Sequence, residues 1–399
     1  MSDLSADLKP DARLTLGMLP LVDAAPLVAA LHEGFFDRQG LDVALSVVPS
    51  WANVRDRLQI GTLTGAQLLP LMPLAGSLGL DGRATPLVSA MTLSRNGNAI
   101  TLSTDIAEQL KGIDAHALPS RERAQDNARA LADLIQVRRH EGKPLLRMAT
   151  VYPFSSHRYQ LRYWLASAGI DPDSDLELRV IPPPAMVEQL AAGHIDGYCV
   201  GAPWNDIAQR RGCGRIVARG VDIWEGAQEK VFGVRRDWQQ AHPATHQALL
   251  KALLGACRWL DEDNAHRFRT AQWLTDGGYL DADPADVEAS LDMQRSDIVF
   301  HTGAANFPWP SQSAWYVAQM RRWGHLNPEV TRVDEAIAQT TRPDLFRQAA
   351  AELGINAPRH DYRLEGAHET SWTLPGVDGD IAMASDRFID GAIFDAGCA

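Results

Sequence analysis

Residues 49–73 read PSWANVRDRLQIGTLTGAQLLPLMP, and from Ile60 to Leu80 the chain carries no charged side chain. Two structures compete for so apolar a run. A membrane span requires continuous apolar helix, but Pro70 and Pro73 each remove a backbone donor, and Gln67 and several glycines interrupt the pattern. A buried strand followed by a sharp turn fits better, because LTGAQLL is short, uncharged and bounded by Gly and Pro. Ser50 stands where it would cap a helix over WANVRDRLQIG, and Pro73 suits the first turn of a short helix after the strand. The stretch therefore reads as helix, buried strand, turn and helix.

The same alternation extends outward. RLTLGML (13–19) and LDVALSVV (41–48) read as strands, with PLVAALHEGFFDRQG between them at helical spacing, so residues 13–80 have a βαβαβ order and predict a parallel sheet. A second series follows: strand LLRMATVY (145–152), helix SSHRYQLRYWLASAGI, strand LELRVIPP, helix PAMVEQLAAG and strand HIDGYCV. The charged stretch from Asp105 to Lys143 reads as a mostly helical bridge. Gly61-Thr-Leu-Thr-Gly65 and Gly193-His-Ile-Asp-Gly197 occupy matching places in the two series, which points to two related α/β lobes facing one cleft. From about His242 onward the spacing is helical, and from about Arg359 the pattern is irregular.

The totals exclude several classes of function. With 399 residues the chain exceeds what one core usually supports. Its net charge of -12 shows no basic face for nucleic acid, although a local anion site remains compatible with it. Cys199, Cys213, Cys257 and Cys398 have no CxxC spacing and read as reduced thiols. The N-terminal residues lack the charged, apolar and small-residue pattern of an export signal, so a cytoplasmic location is expected, with no membrane contact. No G-x-S-x-G, H-E-x-x-H, P-loop or G-x-G-x-x-G is present, and no cofactor or metal is expected. His242 and His246 have i, i+4 spacing, but no carboxylate motif accompanies them.

In open α/β sheets ligands sit beyond the carboxyl ends of strands, where helix N-termini offer free N–H groups. Two such junctions are visible. One places Trp51 in the first helical turn after Ser50. The other places His157 in the first turn after a cap at Ser155 or Ser156. A Trp or His in such a place usually packs or serves no site, and Lys230 in GAQEKVFGVRR would ordinarily be a surface lysine just before a return strand. Gln67 inside an apolar strand needs hydrogen-bond partners from backbone or ligand.

Taken in order, LPLVDAAPLVAALHEGFFDRQGLDV, SWANVRDRL, GAQLLPLMPLA, NGNAITLS, LRYWLASAGIDPDSDLELRVIPPPAMV, GHIDGYCVGAPWN and EKVFGV resemble the nitrate/bicarbonate-binding receptors of ABC transporters, the NrtA/CmpA-like branch of the bilobal solute-binding proteins. The likeness covers most of residues 13–355. It implies a bilobal periplasmic-binding-protein-like (type II) fold, with two α/β lobes around a ligand cleft and a helical C-terminal region. The expected division is 13–103 for lobe 1, 104–228 for lobe 2, 229–355 for a return to lobe 1 with C-terminal helices, and 356–399 for an irregular tail. Without an export signal the chain looks like the cytoplasmic nitrate/nitrite sensors of the NasS kind, which hold a NasT-like RNA-binding antiterminator until ligand arrives. A transport receptor is the alternative, and an enzyme on the same scaffold a more distant one.

The resemblance also implies a site. Trp51 would lie on the face of a flat anion. His157, Lys230 and the Ser156 backbone would stand at its oxygens, and Pro183 and Val200 would form walls. The bicarbonate-binding branch tends to carry an acidic residue at the place of Lys230, and lysine cannot accept a hydrogen bond, so nitrate or nitrite is the expected ligand. Nitrate receptors tend to have glutamine near Thr92. Threonine is shorter, which leaves a water or Gln67 to fill the gap.

Overall fold

The structure is a computed structural model that describes residues 13–82, 84–110 and 120–397. Its strands in chain order are β1 (Leu14–Met18), β2 (Val43–Val47), β3 (Gly65–Leu68), β4 (Leu87–Arg95), β5 (Asn98–Ser103), β6 (Leu146–Thr150), β7 (Leu176–Val180), β8 (Gly197–Gly201), β9 (Gly214–Arg219), β10 (Gln228–Arg235), β11 (Trp372–Gly376) and β12 (Gly379–Met383). They form two five-stranded sheets, ordered β2-β1-β3-β10-β4 and β7-β6-β8-β5-β9, and one hairpin, β11-β12. In each large sheet the first three strands are parallel, and one strand arriving from the other half of the chain, β10 or β5, runs antiparallel to its neighbours.

The glycine echo marks an equivalent turn in the two halves. Gly61 and Gly193 have φ of 75° and 69°, where a side chain would be strained. The chain then joins the central strand in the same way, through Thr64 N–H to Thr15 O at 2.8 Å and Asp196 N–H to Arg147 O at 2.7 Å. A Cβ on Gly65 would stand 2.7 Å from Phe232 Cζ, and one on Gly197 2.7 Å from Leu102 Cδ2, so both sheets need a bare backbone where the inserted strands cross.

The uncharged run resolves as the sequence suggests, into β3 and the helix Met72–Leu78 with Pro in its first turn. No helix among the described residues is long and apolar enough to cross a membrane.

The structure corrects the expected organisation in several places. β5 belongs to the second sheet, so the first crossing lies at Asn96–Gly97 and not after residue 103. Both residues have positive φ there, 58° and 92°, and this kink divides what would otherwise be one long strand. The segment from residue 356 carries the β11-β12 hairpin and packs against the body. Glu365 is buried and accepts from Ser311 Oγ at 2.7 Å, and Phe388 stacks on Trp224 at 4.8 Å. Its polar and aromatic residues are spaced for contacts with distant elements, which no local periodicity reveals. A helix over Val333–Thr340 also went unread. Part of the charged bridge (111–119) and Cys398 lie outside the described residues. Cys199, Cys213 and Cys257 are free thiols.

Candidate ligand-binding site

The ends of four parallel strands converge on one place. After β1 comes the turn Val22–Ala24, carrying Asp23. After β2, Ser50 Oγ accepts the Asn53 N–H at 3.3 Å and starts the helix Trp51–Gln59. After β6, Ser155 Oγ accepts the Arg158 N–H at 3.1 Å and starts the helix Ser156–Ser167, with His157 in its first turn. β8 ends at Gly201. Side chains on each sheet complete the set: Gln67 on β3, Asn98 at the start of β5, and Glu229 and Lys230 on β10. Neighbours in a strand normally point to opposite faces, but the β4-β10 register shifts on both sides of Lys230, and this irregularity lets consecutive side chains meet.

The resulting network excludes solvent. Lys230 Nζ lies 2.8 Å from Asp23 Oδ2 and 2.6 Å from Glu229 Oε1, with all three residues fully buried. Glu229 Oε1 is also 3.0 Å from His157 Nε2, at ion-pair range but without an aligned hydrogen bond, and Glu229 Oε2 accepts from Asn98 Nδ2 at 2.8 Å. Gln67 Nε2 donates to Asp23 Oδ1 at 2.5 Å and its Oε1 accepts the Leu19 N–H at 3.0 Å. The ammonium stands 5.7 Å from the centre of the Trp51 ring.

Burial disfavours charge on each acid, yet the two differ. At Glu229 burial is outweighed by Lys230 and His157, which hold the carboxyl down to about 2. At Asp23 burial prevails over Lys230 and the carboxyl is pushed up. Lys230 is raised, because its two carboxylates outweigh its own burial. Around this network Trp51 Nε1, Ser156 Oγ and both ring nitrogens of His157 have no hydrogen-bond partner among the described residues, although buried polar groups are normally paired. A Cβ at Gly201 would stand 3.2 Å from Asp23 Oδ2 and 3.8 Å from His157 Nε2, so β8 approaches the network with bare backbone.

Other bonds join the lobes beside the site. Tyr152, just past β6, donates to Asp81 Oδ2 at 2.8 Å and accepts from Arg55 Nη1 at 3.2 Å. Arg210 pairs with Asp283 at 3.3 Å and with Asp286, on the helix Pro284–Leu291 that packs by the Val22–Ala24 turn.

Of the residues singled out in the sequence, the structure brings together Trp51, Gln67, His157 and Lys230, with Ser156 adjoining. Lys230 lies within β10 and not ahead of it. The Gln67 amide is already satisfied by protein groups. Thr92 is buried, but its hydroxyl reaches Gln228 and the Phe307 carbonyl rather than the network. Val200 is buried in β8 beside Gly201, and Pro183 opens a short turn after β7; among the described residues no hydrogen bond or ion pair ties either side chain to the network. His242 and His246 flank the Trp238 ring, and no group of three or more potential ligands for a metal occurs among the described residues. Asp23, Asn98, Glu229 and Gly201 were missed. Asp23 did leave a signal, as the only charged residue from Leu14 to Leu31.

Residues 7–275 match the model of the NMT1-like family. The chain is 31% identical over 403 residues to the nitrate/nitrite binding protein NrtA of Nostoc sp., covering 95% of this chain and 82% of that one. The chain belongs to the NMT1-like family, in its NrtA/CmpA-like branch. Within this branch it is 39% identical over 382 residues to the nitrate import ATP-binding protein NrtC of Synechocystis sp., covering 91% of this chain but 53% of that protein. The bicarbonate transport ATP-binding protein CmpC of the same organism matches at 39% over 86% of this chain and 50% of its own length. The chain thus spans about half the length of these longer relatives. The crystal structure of the periplasmic nitrate-binding protein NrtA from Synechocystis superposes with a TM-score of 0.82 at 25% identity, covering 96% of each chain. The NMT1-like membership and this superposition agree with the periplasmic-binding-protein-like fold read from the sequence.

Proposed function

We propose that this protein binds nitrate or nitrite between its lobes. The observation that carries this reading is a fully buried ammonium at the meeting of four strand ends, with Trp51 Nε1, Ser156 Oγ and His157 Nδ1 around it unpartnered among the described residues. Nitrate is flat, accepts hydrogen bonds and donates none; an ammonium, an imidazole and an indole suit its edges and face. Trp51 comes from one lobe and His157 from the other, so a ligand touching both favours the closed arrangement. The names of the NrtA relatives support the same ligand. Titration of the purified protein with nitrate, nitrite, bicarbonate and sulfate tests it: heat on addition of nitrate or nitrite is expected, and none with any of the four would overturn the reading.

Two substitutions separate site from scaffold. Gly201→Ala places a methyl against Asp23 and His157 and is expected to weaken nitrate binding by roughly 10–200-fold, the usual worth of one methyl-sized misfit. Tyr152→Phe removes the donor to Asp81 and is expected to weaken binding about fivefold, corresponding to about 1 kcal/mol lost from the closed state. Calorimetry reads both effects, and unchanged affinity in Gly201→Ala would move the ligand elsewhere.

We further infer that lobe closure is read by a protein partner, as in cytoplasmic sensors of the NasS kind that release a NasT-like antiterminator when ligand binds. Nitrate-dependent loss of co-purification with such an antiterminator is the expected result. The second reading, a transport receptor, is favoured by the names of the NrtA and NrtC relatives. Recovery outside the cytoplasm, with antiterminator binding absent, would establish it over the first.

A further inference from the structure

The network around Lys230 holds more negative charge than positive. Asp23 and Glu229 face one ammonium, and all three side chains are withdrawn from water together with His157. With both carboxylates ionised, the two acids and the ammonium sum to one net negative charge, and a monoanion placed beside them would make two. A dry site does not tolerate this, because burying unpaired charge is costly. The geometry leads to the same place: Asp23 Oδ2, 2.8 Å from Lys230 Nζ, also faces the bare backbone of Gly201, where a protonated carboxyl could donate to an acceptor-only anion.

We propose that the site takes its monoanion together with one proton from solvent, so that an acceptor-only anion such as nitrate enters as its acid equivalent, with the proton held by the Asp23 carboxyl. This deepens the nitrate reading and rests on it. Among the described residues the other titratable groups facing the network are the Cys199 thiol and the Tyr316 phenol; burial raises both, keeping them neutral, and neither can supply the missing positive charge. Burial pushes the Asp23 carboxyl up, which favours retention of a proton beside a second negative charge. A hydrogen carbonate ion brings its own O–H, which can donate to Asp23 or Glu229. It would need no proton from solvent.

The test is calorimetric titration of the full-length protein with sodium nitrate near neutral pH, in two cationic buffers of different ionisation enthalpy. The expected result is a difference in observed heat equal to about one proton taken up per nitrate, with Kd rising toward about tenfold per pH unit as the solution is made alkaline. Bicarbonate, where it binds, is expected to show no buffer-dependent heat. In Asp23→Asn, which lacks the acid that holds the proton, the buffer-dependent difference in heat is expected to vanish, and a difference that persists would overturn the assignment to Asp23. Nitrate binding with equal heats in both buffers and a flat Kd overturns the inference but leaves the ligand assignment standing. No heat with any anion in either buffer overturns the ligand assignment, and this inference with it. The buffer comparison uses the unaltered chain, so a poorly folding variant does not obstruct the decision.

Discussion

Lys230→Met is expected to abolish nitrate binding and to lower folding stability by about 3–5 kcal/mol, the cost of breaking a buried ion pair from one side. Methionine fills similar volume, so the loss is electrostatic. Asp23 and Glu229 would be left as buried carboxylates without their shared cation. The pH dependence identifies the cause. In the unaltered protein Glu229 is held near 2 against a usual 4.5, so its contribution is present above 4.5 and is lost as pH falls through about 2. Lys230 is raised above its usual 10.5, so its contribution is present below 10.5 and lost as pH rises through the higher folded value. Without the ammonium, burial would push both acids up; the variant should be least stable relative to the parent near neutrality and recover part of the deficit as acid protonates them. Urea unfolding across pH measures this. A deficit independent of pH would mean that packing, and not charge, is lost.

Trp51→Ala should have the second largest effect. The side chain is fully buried where the helix Trp51–Gln59 begins, and removal of so large a buried group costs about 3–5 kcal/mol. Packing alone would account for that, so Trp51→Phe is the informative companion. Phe keeps an aromatic face near Lys230 but lacks the indole N–H, which has no partner among the described residues. Trp51→Phe is expected to keep most of the stability while binding nitrate about tenfold more weakly, the effect of about 1.4 kcal/mol from one lost donor to an anion. Ligand-induced change in tryptophan fluorescence should shrink in both variants. Full affinity in Trp51→Phe would reduce Trp51 to a packing residue.

Much of this molecule was legible in its sequence because the signals are local. Ser50 and Ser155 cap helices where short polar side chains precede helical spacing, and Gly61 and Gly193 turn where only a bare backbone is comfortable. LTGAQLL reads as a buried strand because Pro and Gly close it at either end. Those local rules also placed Trp51 and His157 at strand ends, where a cleft forms. They could not show what those side chains would meet. Periodicity reports which face is buried, but not which partner lies across it. Thr92 illustrates the limit: its burial is plain from β4, whereas the direction of its hydroxyl, away from the network, depends on Phe307 and Gln228.

The sequence by itself determined the parallel strands of the two halves, most of the helices and the two helix starts at strand ends, since each depends on residues a few positions apart. The tertiary structure decided that β5 crosses into the second sheet, that the segment after residue 356 folds back onto Trp224, and that Asp23 and Glu229 close on Lys230. Those outcomes depend on a kink at Asn96–Gly97, an irregular register around Lys230 and the mutual neutralisation of charges far apart in the chain. Such interactions take effect only when both sheets are already in place.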